Sequence, residues 1–136
     1  MKEVKQEHTF GCSVACAAAV MGVSYQEALA VFSDGQEKAL KVGFYCREIV
    51  EALGKVGLKY EYKRFNATQH RNLHKSGTIV FLRKSEKYPT GHYLVRHNRL
   101  WMDPWINLTK DTTIAKAKAG FRKRLPGKPI YIIFPT

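Results

Sequence analysis

Very little in this sequence could staple a fold together. Its three cysteines stand at positions 12, 16 and 46 of 136 residues. An odd number, with no C-x-x-C pair and no nearby histidine at zinc-site spacing, argues against a disulfide framework and a structural zinc site. Free thiols in a reducing, cytoplasmic setting are therefore expected. There is no internal repeat, no low-complexity tract and no apolar run of membrane-spanning length. The nearest approach is Phe10 to Ser24, whose "ACAAA" centre resembles the core of a secretion signal. The preceding "MKEVKQEH" mixes acids with bases, the run is short, and Ser13 stands three before Cys16 where a lipoprotein box has an aliphatic residue, so that reading is set aside.

Acidic residues are also scarce, 11 against 23 lysines and arginines, for a net charge of +12. The imbalance is confined to one half. Residues 1–60 carry seven Lys/Arg and seven Asp/Glu, whereas residues 61–136 carry sixteen and four. A basic half attracts acidic substrates, nucleic acid or an anionic surface, although it more often serves solubility. What remains is ordinary for a globular chain, with 45% hydrophobic and 12% aromatic residues. The length suits one domain, 1–136, able to bury a core without metal or disulfides.

The period of the apolar residues changes near residue 58. "CSVACAAAVMG" predicts a helix from Cys12 that stops at Gly22, with Gly11 just outside its N-terminus. "SYQEALAVF" opens with the S-x-x-E capping box of Ser24 and Glu27 and puts Ala28, Val31 and Phe32 near one face. A loop with Gly35 and Gly43 follows, and "YCREIVEALGKVG" makes a third helix with Cys46, Ile49, Val50 and Leu53 on its stripe. Beyond Lys59, "LKYEYKRF", "GTIVFLR", "GHYLVRHNRLWMDPW" and "PIYIIF" read as strands, the third as a hairpin. The basic stretch between the last two reads as a connection with a short helix and a turn at Pro126 and Gly127. The expectation is an α+β domain with a helical half at about 6–57, an antiparallel β half at about 58–136, and a cleft between them.

Cys12 sits where chemistry is favoured. The free N–H groups and positive dipole end at a helix N-terminus favour a thiolate, the nucleophilic form of cysteine. A nucleophilic cysteine needs a histidine to manage its proton and a further group to orient that histidine. The hairpin supplies both. If Asn98 and Arg99 form a two-residue turn, cross-strand partners have numbers summing to 197, and His92 and Asp103 become diagonal neighbours on one face. An odd-length loop would separate them.

"Q-x5-C" at Gln6 and Cys12, "VSYQEAL", "EALGKVGLKYEY", "GHYLV" and then "DP" occur in this order. Together they resemble the C39-type cysteine peptidases of the papain-like superfamily, from about Gln6 to Trp105, with a compatible last strand near Ile130. The resemblance implies a papain-like fold with Cys12 as nucleophile, His92 as general base and then acid, Asp103 as its orienting partner and Gln6 as an oxyanion-hole donor beside the Cys12 N–H. It implies no metal or organic cofactor and a peptide or protein substrate. In that family the domain is often attached to a transporter and trims leader peptides after a Gly-Gly pair; neither property is carried over. The family usually has glycine after the cysteine, where this chain has Ser13.

Other readings stand beside this one. The same thiol chemistry serves deamidases, transglutaminases and acyltransferases. Tyr60, Tyr62 and Phe65 interleave with Lys59, Lys63 and Arg64 as in single-strand nucleic-acid binders, but alternation in a half-buried strand explains the pattern equally, so nucleic acid is not the expected partner. Cys16 and Cys46 read as core, with Cys16 as a resolving thiol the alternative. His8 and His97 read as surface and turn residues, and His70 and His74 could share a metal only with a third ligand that the sequence does not offer. Lys116, Lys118 and "FRKR" at 121–124 read as a solvated face. The basic half, as one wall of the cleft, predicts a preference for acidic substrates.

Overall fold

A computed structural model describes residues 1–136. The Ala-rich stretch after Gly11 forms α1, Cys12–Met21, and buries every residue from Ser13 to Ala19. A helix apolar on all sides has to be covered on all sides. Helix α1 is packed by α2 (Tyr25–Leu29), α4 (Cys46–Lys55) and strand β3 (His92–His97). Alanine combines the strongest helix propensity with the smallest apolar side chain, which lets three neighbours approach one axis.

The capping box of α2 forms as expected: Glu27 N–H donates to Ser24 Oγ at 3.1 Å, and Ser24 N–H donates to the Glu27 carboxylate at 3.2 Å. Helix α2 then ends at Leu29, short of Phe32. The expected loop around Gly35 is instead a helix, α3 (Gly35–Lys41). Only Gly35 and Ala39 of α3 are buried, so no apolar period announced it. Its charges fit the dipole, with Glu37 in the first turn and Lys38 and Lys41 in the last. Lys38 pairs with Glu48 of α4, which holds that carboxyl below the usual range although burial opposes the shift. Helix α4 buries Cys46, Ile49, Ala52 and Leu53 along one stripe.

Six strands follow: β1 (Tyr60–Arg64), β2 (Ile79–Leu82), β3, β4 (Leu100–Asp103), β5 (Gly120–Arg122) and β6 (Pro129–Pro135). They form one antiparallel sheet in the order β1-β6-β2-β3-β4-β5. Strand β5 lies in the stretch expected to be a connection with a short helix and a turn; three residues are too few to carry a period-2 signal. Before it, Ile114–Lys116 makes a 3-10 turn. Ile79, Tyr93, Val95, Met102 and Ile133 face the helices, whereas Val80, Leu82, Leu94, Trp101, Ile132 and Phe134 face away. This second face is covered by Leu73 of the short helix α5 (His70–Leu73), by Tyr88 and by Leu125. Strand β1 is an edge with four of its five residues exposed, and its charges discourage further strand pairing.

The hairpin has the expected register. Asn98 and Arg99 make the turn, and Val95 pairs with Met102, Arg96 with Trp101 and His97 with Leu100. Asn98 takes a φ of 54°, a left-handed conformation that asparagine tolerates better than most residues.

Candidate active site

His92 is the first residue of β3 and Asp103 the last of β4, so the hairpin register sets them side by side at the sheet end. The Nε2 of His92 lies 2.8 Å from Asp103 Oδ1, and both side chains are essentially excluded from water. Asp103 accepts three hydrogen bonds. Oδ1 takes His92 and the Trp105 N–H at 3.0 Å, while Oδ2 takes Arg122 Nε at 2.8 Å. Burial alone would raise the carboxyl pKa; these donors, His92 first, outweigh it and hold Asp103 below the usual carboxylate range.

Cys12 lies near enough to His92 for its thiol to favour the protonated imidazole. Asp103 occupies Nε2, which leaves Nδ1 as the nitrogen for sulfur. Burial pushes His92 toward its neutral form, but the Asp103 hydrogen bond and the nearby Cys12 thiol overcome it, and the imidazole is pushed up to about 9. Of the three free thiols only Cys12 is half-exposed; Cys16 and Cys46 are buried. Burial raises the Cys16 thiol well above its ordinary value, and it also raises Cys46. Both are core residues, Cys46 lying 3.8 Å from the Tyr93 hydroxyl.

The N–H groups at the start of α1 point past its end without intrahelical partners, and that of Cys12 has none elsewhere. Gly11 is required by space. A Cβ there would run into the Tyr25 hydroxyl, which His8 Nδ1 holds at 2.9 Å. His8 therefore braces the approach to Cys12 instead of lying free on the surface. Gln6 reaches the same region, 2% exposed, its N–H donating to the Pro104 carbonyl at 3.2 Å. Its side-chain amide donates to the carbonyls of His8 (3.1 Å) and Thr9 (3.0 Å), leaving Oε1 buried and unpartnered. Gln6 thus shapes the turn into Cys12, and both of its amide hydrogens are occupied.

Two residues of the site escaped sequence reasoning. Arg122, assigned to a solvated face, instead points inward: its Nε holds Asp103 and its Nη2 donates to the Ile106 carbonyl at 3.2 Å. Only the pairing of β5 with β4, which sets Asp103 opposite Gly120, brings it there. Tyr88, in the loop between β2 and β3, stacks on His92 with ring centroids 4.5 Å apart and planes 4° from parallel. It is the one buried residue of Arg83–Thr90. Its hydroxyl sits beside Arg122 without a formed hydrogen bond, and burial pushes it up to about 12. Gly91 makes the bend into His92 at a φ of +83°, where a Cβ would meet the Phe81 ring and the Leu82 carbonyl. A "YPTG" before "HY" was the available signal for this bend; the stacking left no trace in the sequence.

No group of three or more His, Cys, Asp or Glu residues is placed to hold a metal ion. His70 and His74 stack at 6.5 Å on α5 and its cap, and His97 ends β3 with its ring 6.0 Å from Phe121. No helix is long and apolar enough to cross a membrane.

The sequence matches no protein-family model and no curated protein. Among solved structures, the chain is similar to the peptidase domain of Streptococcus ComA, described as a bifunctional ABC transporter involved in a quorum-sensing pathway. That match has a TM-score of 0.60 and 23% identity, and it covers 98% of this chain and 96% of that one. A second similar structure is the peptidase domain of Streptococcus mutans ComA, with a TM-score of 0.55, 21% identity, and coverage of 100% and 99%. The chain shares the α+β fold of these peptidase domains over nearly its whole length.

Proposed function

We propose that this chain is a cysteine peptidase of the C39 type. The observation that carries the reading is the His92–Asp103 pair, buried and 2.8 Å apart; the one half-exposed thiol, Cys12, begins α1 and is near enough to influence the imidazole. In this reading Cys12 Sγ attacks a peptide carbonyl carbon while His92 Nδ1 holds the thiol proton. The oxyanion forms against the Cys12 N–H. Gln6 joins it as a second donor by exchanging one of its carbonyl bonds to His8 or Thr9 for the oxyanion. His92 then protonates the leaving amine, the C–N bond breaks and a thioester remains. Water, deprotonated by His92, attacks the thioester and regenerates the thiol.

Asp103 keeps the imidazole in one tautomer and stabilises its cation, and Arg122 keeps Asp103 ionised. Tyr88 covers one face of the ring and excludes water from the pair. The chemistry needs neither metal nor organic cofactor.

The test is alkylation by iodoacetamide across pH, read at each cysteine by peptide mass spectrometry. Cys12 is expected to label far faster than Cys16 and Cys46 near neutral pH, and His92→Ala to abolish the difference. Equal, slow labelling of all three would make Cys12 structural. A peptide-library digest, repeated with added amine acceptors, then separates hydrolysis from acyl transfer: water as sole acceptor marks a peptidase.

A further inference from the structure

Two loops border the His92 end of the sheet. Arg83–Thr90 joins β2 to β3, and residues 123–128 join β5 to β6. They meet where the Arg83 N–H donates to the Lys128 carbonyl at 2.9 Å. Together they carry Arg83, Lys84, Lys87, Lys123, Arg124 and Lys128, all exposed. None of the six has a carboxylate partner. The one acid in these loops, Glu86, turns instead to Lys110 at 3.5 Å. Six cations without carboxylate partners on two adjoining loops repel one another, and only Lys87 has a partial partner, the Tyr88 ring 5.5 Å from its Nζ.

Both loops are tied to the reacting groups. The first inserts Tyr88 against His92 and passes through Gly91 directly into it. The second begins immediately after Arg122, which holds Asp103. The rim therefore adjoins the His92–Asp103 pair, where the proposed reaction puts a polypeptide.

We propose that the paired loops 83–87 and 123–128 form a docking surface for an acidic segment of the polypeptide substrate. The inference rests on the peptidase reading for what the segment belongs to. Carboxylates of Asp and Glu supply the missing counter-charges, and each exposed contact adds a small, salt-sensitive increment. The rim is a poor nucleic-acid surface. Single-strand binders set exposed aromatic rings among their cations, whereas Tyr88 is 2% exposed and the exposed aromatics, Tyr45 and Tyr62, lie before α4 and on β1.

The experiment measures binding by fluorescence anisotropy on the full chain carrying Cys12→Ser, so that turnover plays no part. The probes are a fluorescein-labelled Gly/Ser decapeptide with four glutamates, the same peptide with four glutamines, and a labelled ten-nucleotide oligo-dT. The rim variant combines Lys84→Glu, Lys123→Glu and Arg124→Glu. A control with the same charge change combines Lys2→Glu, Lys5→Glu and Lys59→Glu. The rim variant is expected to weaken the glutamate peptide by roughly tenfold, as three exposed charge contacts would, and the control by less than threefold. The glutamine peptide should bind far more weakly and respond to neither variant.

Equal weakening by both variants would reduce the effect to net charge and overturn the proposal. So would undetectable binding of the glutamate peptide at low salt. Tighter binding of oligo-dT than of the glutamate peptide would overturn it in favour of nucleic acid. The alkylation test of Cys12 is independent, so failure of the rim and failure of the peptidase reading are told apart.

Discussion

Replacing Asp103 with asparagine tests the electrostatics at the centre of the site. The substitution keeps the shape but removes the charge that accepts from His92 at 2.8 Å and from Arg122 at 2.8 Å. A hydrogen bond to a charged group contributes about 1.5–3 kcal/mol. At about 1.4 kcal/mol per pKa unit, His92 should fall by roughly one to two units from its value of about 9. Two features of the structure push the same way. Burial goes on opposing the imidazolium, and the Arg122 guanidinium is left without its counter-charge. The assay is NMR titration of ring protons in protein with isotope-labelled histidine, with the His92 signal assigned by its absence in His92→Gln. In the proposed mechanism the protonated ring is the form that donates to a leaving amine, so the alkaline limb of any pH–rate profile should move acidward by the same amount. A His92 pKa unchanged in Asp103→Asn, or one near 6.5 in the unaltered protein, would refute the reasoning.

Four more outcomes follow from the same geometry. Because His92 is raised above the ordinary imidazole value of 6.5, to about 9, the stability it contributes is complete below 6.5 and is lost as pH rises through 9; thermal melts should lose stability across that window, and His92→Gln should lack that component. Asp103 has a lowered pKa, so its contribution is present above the ordinary carboxylate value and disappears as pH falls through the folded one; acid unfolding of Asp103→Asn should lack this component. Tyr88→Phe should leave kcat within about threefold because the hydroxyl it removes is unpartnered, whereas Tyr88→Ala, which opens His92 to water, should lower kcat by about tenfold and shift the His92 titration, a shift that general destabilisation would not produce. Gly91→Ala should destabilise by about 2–4 kcal/mol, joining left-handed strain to a clash with Phe81; a melting temperature unchanged by the substitution would contradict the bend drawn here.

The local signals reached far. Three of the expected helices begin where their apolar residues and caps place them: an all-apolar alanine helix from Cys12, a Ser24–Glu27 box and a Cys46–Leu53 stripe are short-range facts of the chain. The pairing of His92 with Asp103 was also legible, because a two-residue turn determines a register and a register determines which side chains share a face. Helix α3 and strand β5 were not legible, since one has almost no buried face and the other only three residues.

Tertiary structure alone decided the rest. Arg122 is one arginine of a basic tetrapeptide until the β4–β5 pairing turns it onto Asp103. Tyr88 is one tyrosine in a polar loop until that loop folds back over His92. Gln6 has a position in the sequence, but the partners of its amide depend on where the turn before Cys12 falls. Periodicity and capping are settled within a few residues, so the chain states them in its own order; contacts between distant segments depend on how whole elements pack, and no local pattern encodes them.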